Sequence, residues 1–226
     1  MNLRSDEQFM RRAIELAKGA KHRTSPNPTV GCVIVADGVI VGEGVTQPHG
    51  HAHAEVMALN QAGSAANGAC MYVTLEPCCH QGRTGPCTEA IIKAGIADVY
   101  VGVIDPNPLV HGRGLKLLEQ AGINVRRSPL PAECQWHHAP FEKFILKRHP
   151  WVILKAATTL DGQIATSEGN SKWITGEAAR VDAHRLRAEV DGVLVGSETM
   201  RLDNPKLTVR LADGDDPIRI LFDSNA

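Results

Sequence analysis

No sign of charge dominates this chain. Twenty-four Lys and Arg stand against twenty-five Asp and Glu, a formal net charge of -1 over 226 residues. The basic footprint of a nucleic-acid binder is therefore missing. No apolar run approaches the roughly 18 residues of a membrane span. The opening stretch, MNLRSDEQFMRRAIELAKGAK, scatters charges where a secretory signal needs an apolar core. There is no internal repeat and no low-complexity tract. The six cysteines, with no secretion signal before them, read as reduced cytoplasmic thiols, suited to metal binding or catalysis rather than disulfides.

What is present is an alternation of helical and strand patterns. Ser5-Asp6-Glu7-Gln8 has the form of a capping box, and Met10, Ala13, Ile14, Ala17 and Ala20 follow at helical spacing. A helix is expected over residues 6–21, broken by Pro26 and Pro28. Two β-branched runs flank Asp37-Gly38, a strong hairpin signal. Then come a helix stopped by Gly63, a strand ending at Glu76-Pro77, a short helix from Cys87, a strand before Asp105, a helix and a last strand, INVRR. Such alternation implies an α/β fold, a mixed sheet with helices on its faces. Near Pro150 a second unit begins. It shows three strand-like runs, starting at Trp151, Asp191 and Pro217, and a helical pattern from about 176 to 190. That is few elements for an α/β domain, whose sheet usually has about five or six strands, so the unit is expected to be cut short.

The chemistry sits between His53 and Cys87. Zinc takes neutral imidazole and thiolate in a tetrahedron, and a catalytic zinc keeps three protein ligands and one open position. His53, Cys78 and Cys87 supply that set. Bound zinc brings the pKa of its water to roughly 7, and a carboxylate must then move the proton. Glu55 is the candidate. Two residues apart, His53 and Glu55 serve one site only at the open first turn of a helix, where no preceding turn covers the pocket. H-x-E followed by P-C and a second Cys is the pattern of zinc deaminases, here with a longer inter-cysteine loop. Taken alone, His53 would read as a surface histidine and the cysteines as buried thiols. A structural zinc would recruit Cys79 or His80 as fourth ligand and would need no Glu55.

PNPTVG (Pro26–Gly31), HAE (His53–Glu55), EPCCHQGRTGPC (Glu76–Cys87) and DPNP (Asp105–Pro108) together resemble the bifunctional deaminase/reductase family of riboflavin biosynthesis. The resemblance implies a cytidine-deaminase-like domain at residues 1–148. The incomplete start of a dihydrofolate-reductase-like α/β domain is expected to follow at 149–226. The implied activity is zinc-dependent hydrolysis of the 2-amino group of 2,5-diamino-6-ribosylamino-4(3H)-pyrimidinone 5′-phosphate. A complete second domain would then reduce the ribosyl group with NADPH. His53, Cys78 and Cys87 are implied as zinc ligands and Glu55 as proton carrier. Asn27, His80, Arg83, Asp105 and Asn107 are implied as contacts to a pyrimidine ribotide. Arg83 and His80 suit phosphate oxygens. The alternatives at single positions are a solvated loop cation for Arg83 and a turn-forming Asx for Asp105.

Motifs KAATTLDGQIA (Lys155–Ala165), SKWITG (Ser171–Gly176) and PIRILFDS (Pro217–Ser224) carry the resemblance into the second half. There it assigns Ala157, Trp173, Thr199, Asp203 and Ser224 to NADPH, and Ser171, Arg187, Leu207 and Arg210 to the sugar phosphate. With so few elements, this part is expected to be partly disordered and weak in NADPH binding. Two positions depart from the family: Gly85 replaces a proline, which should loosen the loop before Cys87, and Thr46 stands where the family often has His. His49 and His51 read as solvated. Rival readings are a zinc deaminase acting on guanine, cytidine or a tRNA adenosine, and a non-catalytic zinc module for assembly. A small-molecule substrate, no nucleic acid and no membrane are expected; whether the chain forms a homo-oligomer is left open.

Overall fold

In the computed structural model, which describes residues 3–20, 24–81 and 85–224, helix α1 (Leu3–Gly19) buries Met10, Ala13, Ile14 and Ala17 along one face. It starts earlier than the capping box suggested. Ser5 lies inside the first turns, and the buried carboxylate of Asp6 accepts hydrogen bonds from Tyr72 (2.6 Å) and Tyr100 (3.3 Å) on the sheet. The end expected at Lys21 lies outside the described residues.

Strands β1 (Gly31–Ala36) and β2 (Val39–Val45) form the hairpin. Asp37 and Gly38 have φ of 49° and 79°, the positive pair that a tight two-residue turn requires. Helix α2 (Ala54–Ala62) stops at Gly63, where a short 3-10 turn takes over. Strand β3 (Cys70–Val73), helix α3 (Cys87–Ala94), strand β4 (Asp98–Val101), helix α4 (Arg113–Gln120) and strand β5 (Asn124–Arg127) follow. The five strands lie in the order β2-β1-β3-β4-β5. β1 is antiparallel to β2 and β3, while β3, β4 and β5 are parallel.

Side-chain alternation along the strands divides the core into two layers. Cys32, Ile34, Met71, Val73, Val99 and Val101 face α2, α3 and α4 through Ala58, Leu59, Ile91 and Leu118. Val33, Val35, Tyr72 and Tyr100 face the other way, onto Met10, Ala13 and Ile14 of α1 and Cys134.

Cys134 belongs to α5 (Pro131–Lys147), a helix absent from the sequence expectations. Pro131 opens the helix and Pro140 is accommodated inside it. Its buried face is Cys134, His137 and His138, which shows no apolar stripe to recognise. The two imidazoles bond to residues flanking β1 and β3: His137 Nε2 lies 2.8 Å from the Thr29 carbonyl and His138 Nε2 3.1 Å from Thr74 Oγ1.

The strand register determines where the loops go. Val73 pairs with Cys32 and Val101, and Val101 pairs with Arg127. The segments entering β1 and leaving β2, β3 and β4 therefore gather at one edge of the sheet. The opposite edge carries tight turns with positive-φ glycines at Gly38, Gly68, Gly95 and Gly122.

Helix α2 sits directly on the backbone of β2. A Cβ at Gly44 would meet the Ala54 carbonyl oxygen at 2.0 Å and the Ala58 nitrogen at 2.6 Å. Overpacking of this kind costs about 1–3 kcal/mol. Gly44→Ala is expected to lower the unfolding free energy by that amount, read as a lower urea midpoint, because the start of α2 must move. An unchanged midpoint in urea would show that the helix has room to give.

Residues Met1–Trp151 and Val152–Ala226 form two separate units. The second contains α6 (Glu177–Ala188), β6 (Gly192–Gly196), α7 (Ser197–Asp203) and β7 (Ile218–Phe222), with β6 and β7 parallel. Two expectations fail here. The run from Trp151 has no regular structure, and Leu154 and Leu160 are 93% and 108% exposed. An apolar run needs a ladder partner to become a strand, and among the described residues this one has none. The end of the second run, from Ser197, is helical rather than extended. No helix among the described residues is long and apolar enough to cross a membrane.

Candidate metal centre

Three chain segments bring His53, Cys78 and Cys87 together. His53 is the N-cap of α2, in extended backbone, and its side chain makes no capping bond. Cys87 is the first residue of α3. Cys78 lies in the extended stretch after β3 and is folded back onto α3: Thr88 N–H donates to the Cys78 carbonyl (3.2 Å) and Cys87 N–H to Cys78 Sγ (3.3 Å).

The three potential ligand atoms lie within 4.8 Å of one another. His53 Nδ1 is 3.2 Å from Cys87 Sγ and 3.5 Å from Cys78 Sγ. Zn–N and Zn–S bonds of ordinary length in a tetrahedron separate N from S by about 3.6 Å. The donor types and their spacing thus fit a zinc ion. Cys79, named above as a possible fourth ligand, turns its thiol to the Leu109 carbonyl at 3.8 Å.

The electrostatics fit a site that holds a cation. A hydrogen bond from Cys87, helped by His53 and the Cys87 N–H, brings the Cys78 thiol down to about 4. The same bond, with burial, pushes Cys87 upward. His53 is raised by its hydrogen bond to Cys78. Glu55, the second residue of α2, is only 3% exposed. Burial, with the nearby Cys78 charge, lifts its carboxyl to about 7.

The implied ribotide contacts occupy the loops around this centre. Asp105 is buried just after β4, and burial raises its carboxyl to about 6. It also forms the Asx turn weighed above, accepting the Asn107 N–H at 2.8 Å. Asn107 Oδ1 in turn accepts from Leu109 N–H at 3.1 Å. Asn27 Oδ1 lies 3.3 Å from His49 Nδ1, so His49 is tied to the loop entering β1 rather than being only solvated. His80 is exposed beside the cysteines, and Arg83 lies outside the described residues. Thr46 is buried and exchanges hydrogen bonds with the backbone of Val30, so its side chain is occupied in holding the start of β1. A Cβ at Gly85 would meet nothing within 4 Å.

Glu76 had no assigned role in the sequence. Its buried carboxylate accepts three main-chain N–H groups, from Asp105 (3.1 Å), Gly112 (2.8 Å) and Gly114 (3.0 Å). Partners this distant in sequence leave no local signal.

In the second unit, Thr199 and Ser224 follow the paired carboxyl ends of β6 and β7, where Gly196 stands opposite Phe222. Open α/β sheets bind ligands beyond such ends. Asp203 ends α7. Arg187 and Arg210 both donate to the Thr208 carbonyl, at 2.9 and 3.3 Å, next to buried Leu207. Ala157, Ser171 and Trp173 lie in the irregular stretch before α6, with the Arg180 guanidinium 4.6 Å from the Trp173 ring centre.

Two family models match the chain. Residues 3–103 match the cytidine and deoxycytidylate deaminase zinc-binding region, and residues 150–226 match the RibD C-terminal domain. The riboflavin biosynthesis protein RibD of Bacillus amyloliquefaciens is 49% identical over 97% of this chain and 59% of its own length. A diaminohydroxyphosphoribosylaminopyrimidine deaminase/5-amino-6-(5-phosphoribosylamino)uracil reductase from Thermotoga maritima has a solved structure that is 44% identical. It covers 97% of this chain and 63% of its own, with a TM-score of 0.90. RibD of Acinetobacter baumannii is 45% identical over 98% of this chain and 64% of its own, with a TM-score of 0.86. The chain spans about three-fifths of the length of these relatives. Matched from its first helix to its last strand across both units, the chain belongs to the RibD family of riboflavin biosynthesis proteins.

Proposed function

We propose that residues 1–148 are a zinc-dependent deaminase of a pyrimidine ribotide, and that residues 149–226 contribute to an NADPH-dependent reductase domain. The substrate is 2,5-diamino-6-ribosylamino-4(3H)-pyrimidinone 5′-phosphate, and the products are 5-amino-6-ribosylaminouracil 5′-phosphate and ammonia. The observation that carries this reading is a buried carboxylate, Glu55, on the turn of α2 that His53 opens, beside the point where His53, Cys78 and Cys87 converge.

His53, Cys78 and Cys87 would hold the zinc, which when bound would supply Lewis-acid activation of a water. Glu55 moves the proton: its carboxylate takes one from the hydrolytic water and delivers it to the departing amine. Water and the C–NH₂ group are thereby converted to a carbonyl and ammonia. Burial keeps the Glu55 carboxylate from being solvated, so its proton is exchanged with the reacting groups. Asp105, Asn107 and Asn27 lie in the loops beside it and orient the base and ribose, while His80 and Arg83 take the phosphate. Thr199, Asp203 and Ser224, with Ala157 and Trp173, belong to the NADPH site; Ser171, Arg187, Leu207 and Arg210 belong to the sugar phosphate site.

Ammonia release tests the reading, measured on this ribotide beside guanine, cytidine and dCMP at full zinc loading. Turnover of the ribotide is expected to exceed the others. Preference for any of the other three would replace it. The phosphate assignment has its own test. A charge-assisted contact is worth about 1.5–3 kcal/mol, or roughly 10- to 150-fold. Arg83→Ala is expected to weaken kcat/KM by that factor on the phosphorylated substrate and to spare the dephosphorylated one. An equal loss on both would assign Arg83 to shaping the zinc loop.

A further inference from the structure

We propose that Glu76 is a positioning residue. It clamps the metal-ligand strand to the loop carrying Asp105 and Asn107, and so determines how tightly substrate is held. This rests on the reading above, in which that loop contacts the substrate.

Glu76 precedes Cys78 by two residues and is only 3% exposed. Its side chain does not face the metal ligands. It reaches across to the connection between β4 and α4. Oε2 accepts from Asp105 N–H at 3.1 Å and Gly112 N–H at 2.8 Å; Oε1 accepts from Gly114 N–H at 3.0 Å. Gly112 is the N-cap of α4 and Gly114 its second residue. N–H groups there have no acceptor within the helix and favour a negative charge. The carboxylate thus caps a helix nearly forty residues away in sequence. The main chain joins in: Glu76 N–H donates to the Val103 carbonyl at 2.9 Å. At Gly114 the approach is closer still, since a Cβ would meet the Pro77 carbonyl oxygen at 2.3 Å.

The consequence passes through Asp105. Its N–H is held by Glu76, its carboxylate holds Asn107 N–H, and its carbonyl lies 3.0 Å from His111 Nδ1. The orientation of Asp105 and Asn107 relative to Cys78 is therefore fixed by one carboxylate with two acceptor oxygens. A neutral amide of the same size has a single acceptor oxygen and presents N–H groups on the other side. Glu76→Gln must then set donor against donor at either Gly114 or the Asp105–Gly112 pair.

The test uses the full chain, zinc-loaded, with the ribotide. Glu76→Gln is expected to raise KM about tenfold or more, with kcat held within about threefold and one zinc per chain retained. Gly114→Ala disturbs the same joint from the helix side and is expected to show the same split, so the inference survives a folding failure of either variant. Asn107→Ala serves as the reference for loss of the loop's own contact. If it raises KM and neither joint variant does, the positioning role is overturned. Loss of zinc and kcat with KM unmoved would overturn it in favour of support for the metal strand. If Asn107→Ala and Asp105→Asn both leave KM unchanged, the loop is no substrate contact, and the underlying reading falls with the inference.

Discussion

Glu55→Gln is expected to retain zinc and fold and to lose deamination by about 10²–10⁴-fold, the usual scale of general acid–base help. The exchange is close to isosteric, and Glu55 occupies the first turn of α2 with its carboxylate buried. An amide fits the same space and keeps hydrogen-bonding capacity but carries no transferable proton at neutral pH. Replacing a buried carboxyl by an amide also removes the desolvation cost that lifts this group to about 7. Stability should hold or rise while turnover collapses. Near-normal ammonia release from a zinc-replete Glu55→Gln protein would remove Glu55 from the chemistry.

Cys78→Ser and Cys87→Ser are each expected to reduce zinc from one per chain to near none, and turnover with it. A serine hydroxyl keeps the volume but does not ionise as a thiol does, and zinc binds the thiolate. Metal that binds only the folded protein stabilises it by RT ln(1 + [L]/Kd), about 4 kcal/mol at a thousandfold excess over Kd. A chelator should accordingly lower the melting temperature of the parent chain and leave that of the two variants unmoved. Cys79→Ser, whose thiol points to Leu109, should behave like the parent. A full zinc complement in both Cys78→Ser and Cys87→Ser would place the metal elsewhere.

Features built from neighbours in sequence were legible before the fold was known. The stripe Met10–Ala13–Ile14–Ala17 faces the sheet because its period matches a helix. Asp37-Gly38 makes its hairpin because both positions must adopt positive φ. His53 and Glu55 could be placed on one opening turn because two residues apart is useless anywhere else on a helix. Features built from distant partners were hidden. Helix α5 buries a cysteine and two histidines whose partners, Thr29 and Thr74, lie far back in the chain. The apolar run from Trp151 suggested a strand, but composition specifies a wish for burial and cannot specify a pairing partner. Glu76 looked like the end of a strand before a proline; only the return of the chain at Gly112 and Gly114 reveals its task.

The two edges of the five-stranded sheet bear different kinds of constraint, and this bears on how such an enzyme evolves. The glycine turns at Gly38, Gly68, Gly95 and Gly122 answer only to folding. The loops and helix starts on the other edge carry His53, Glu55, Cys78, Cys87 and Asp105, to which we assign the chemistry. The five strands separate the two sets of loops. Substrate choice can then change through one set of loops while the glycine turns, two of them joined by the Gly68 N–H to Gly95 carbonyl bond, keep the strands in register. The scaffold and the reaction are heritable separately, within one chain.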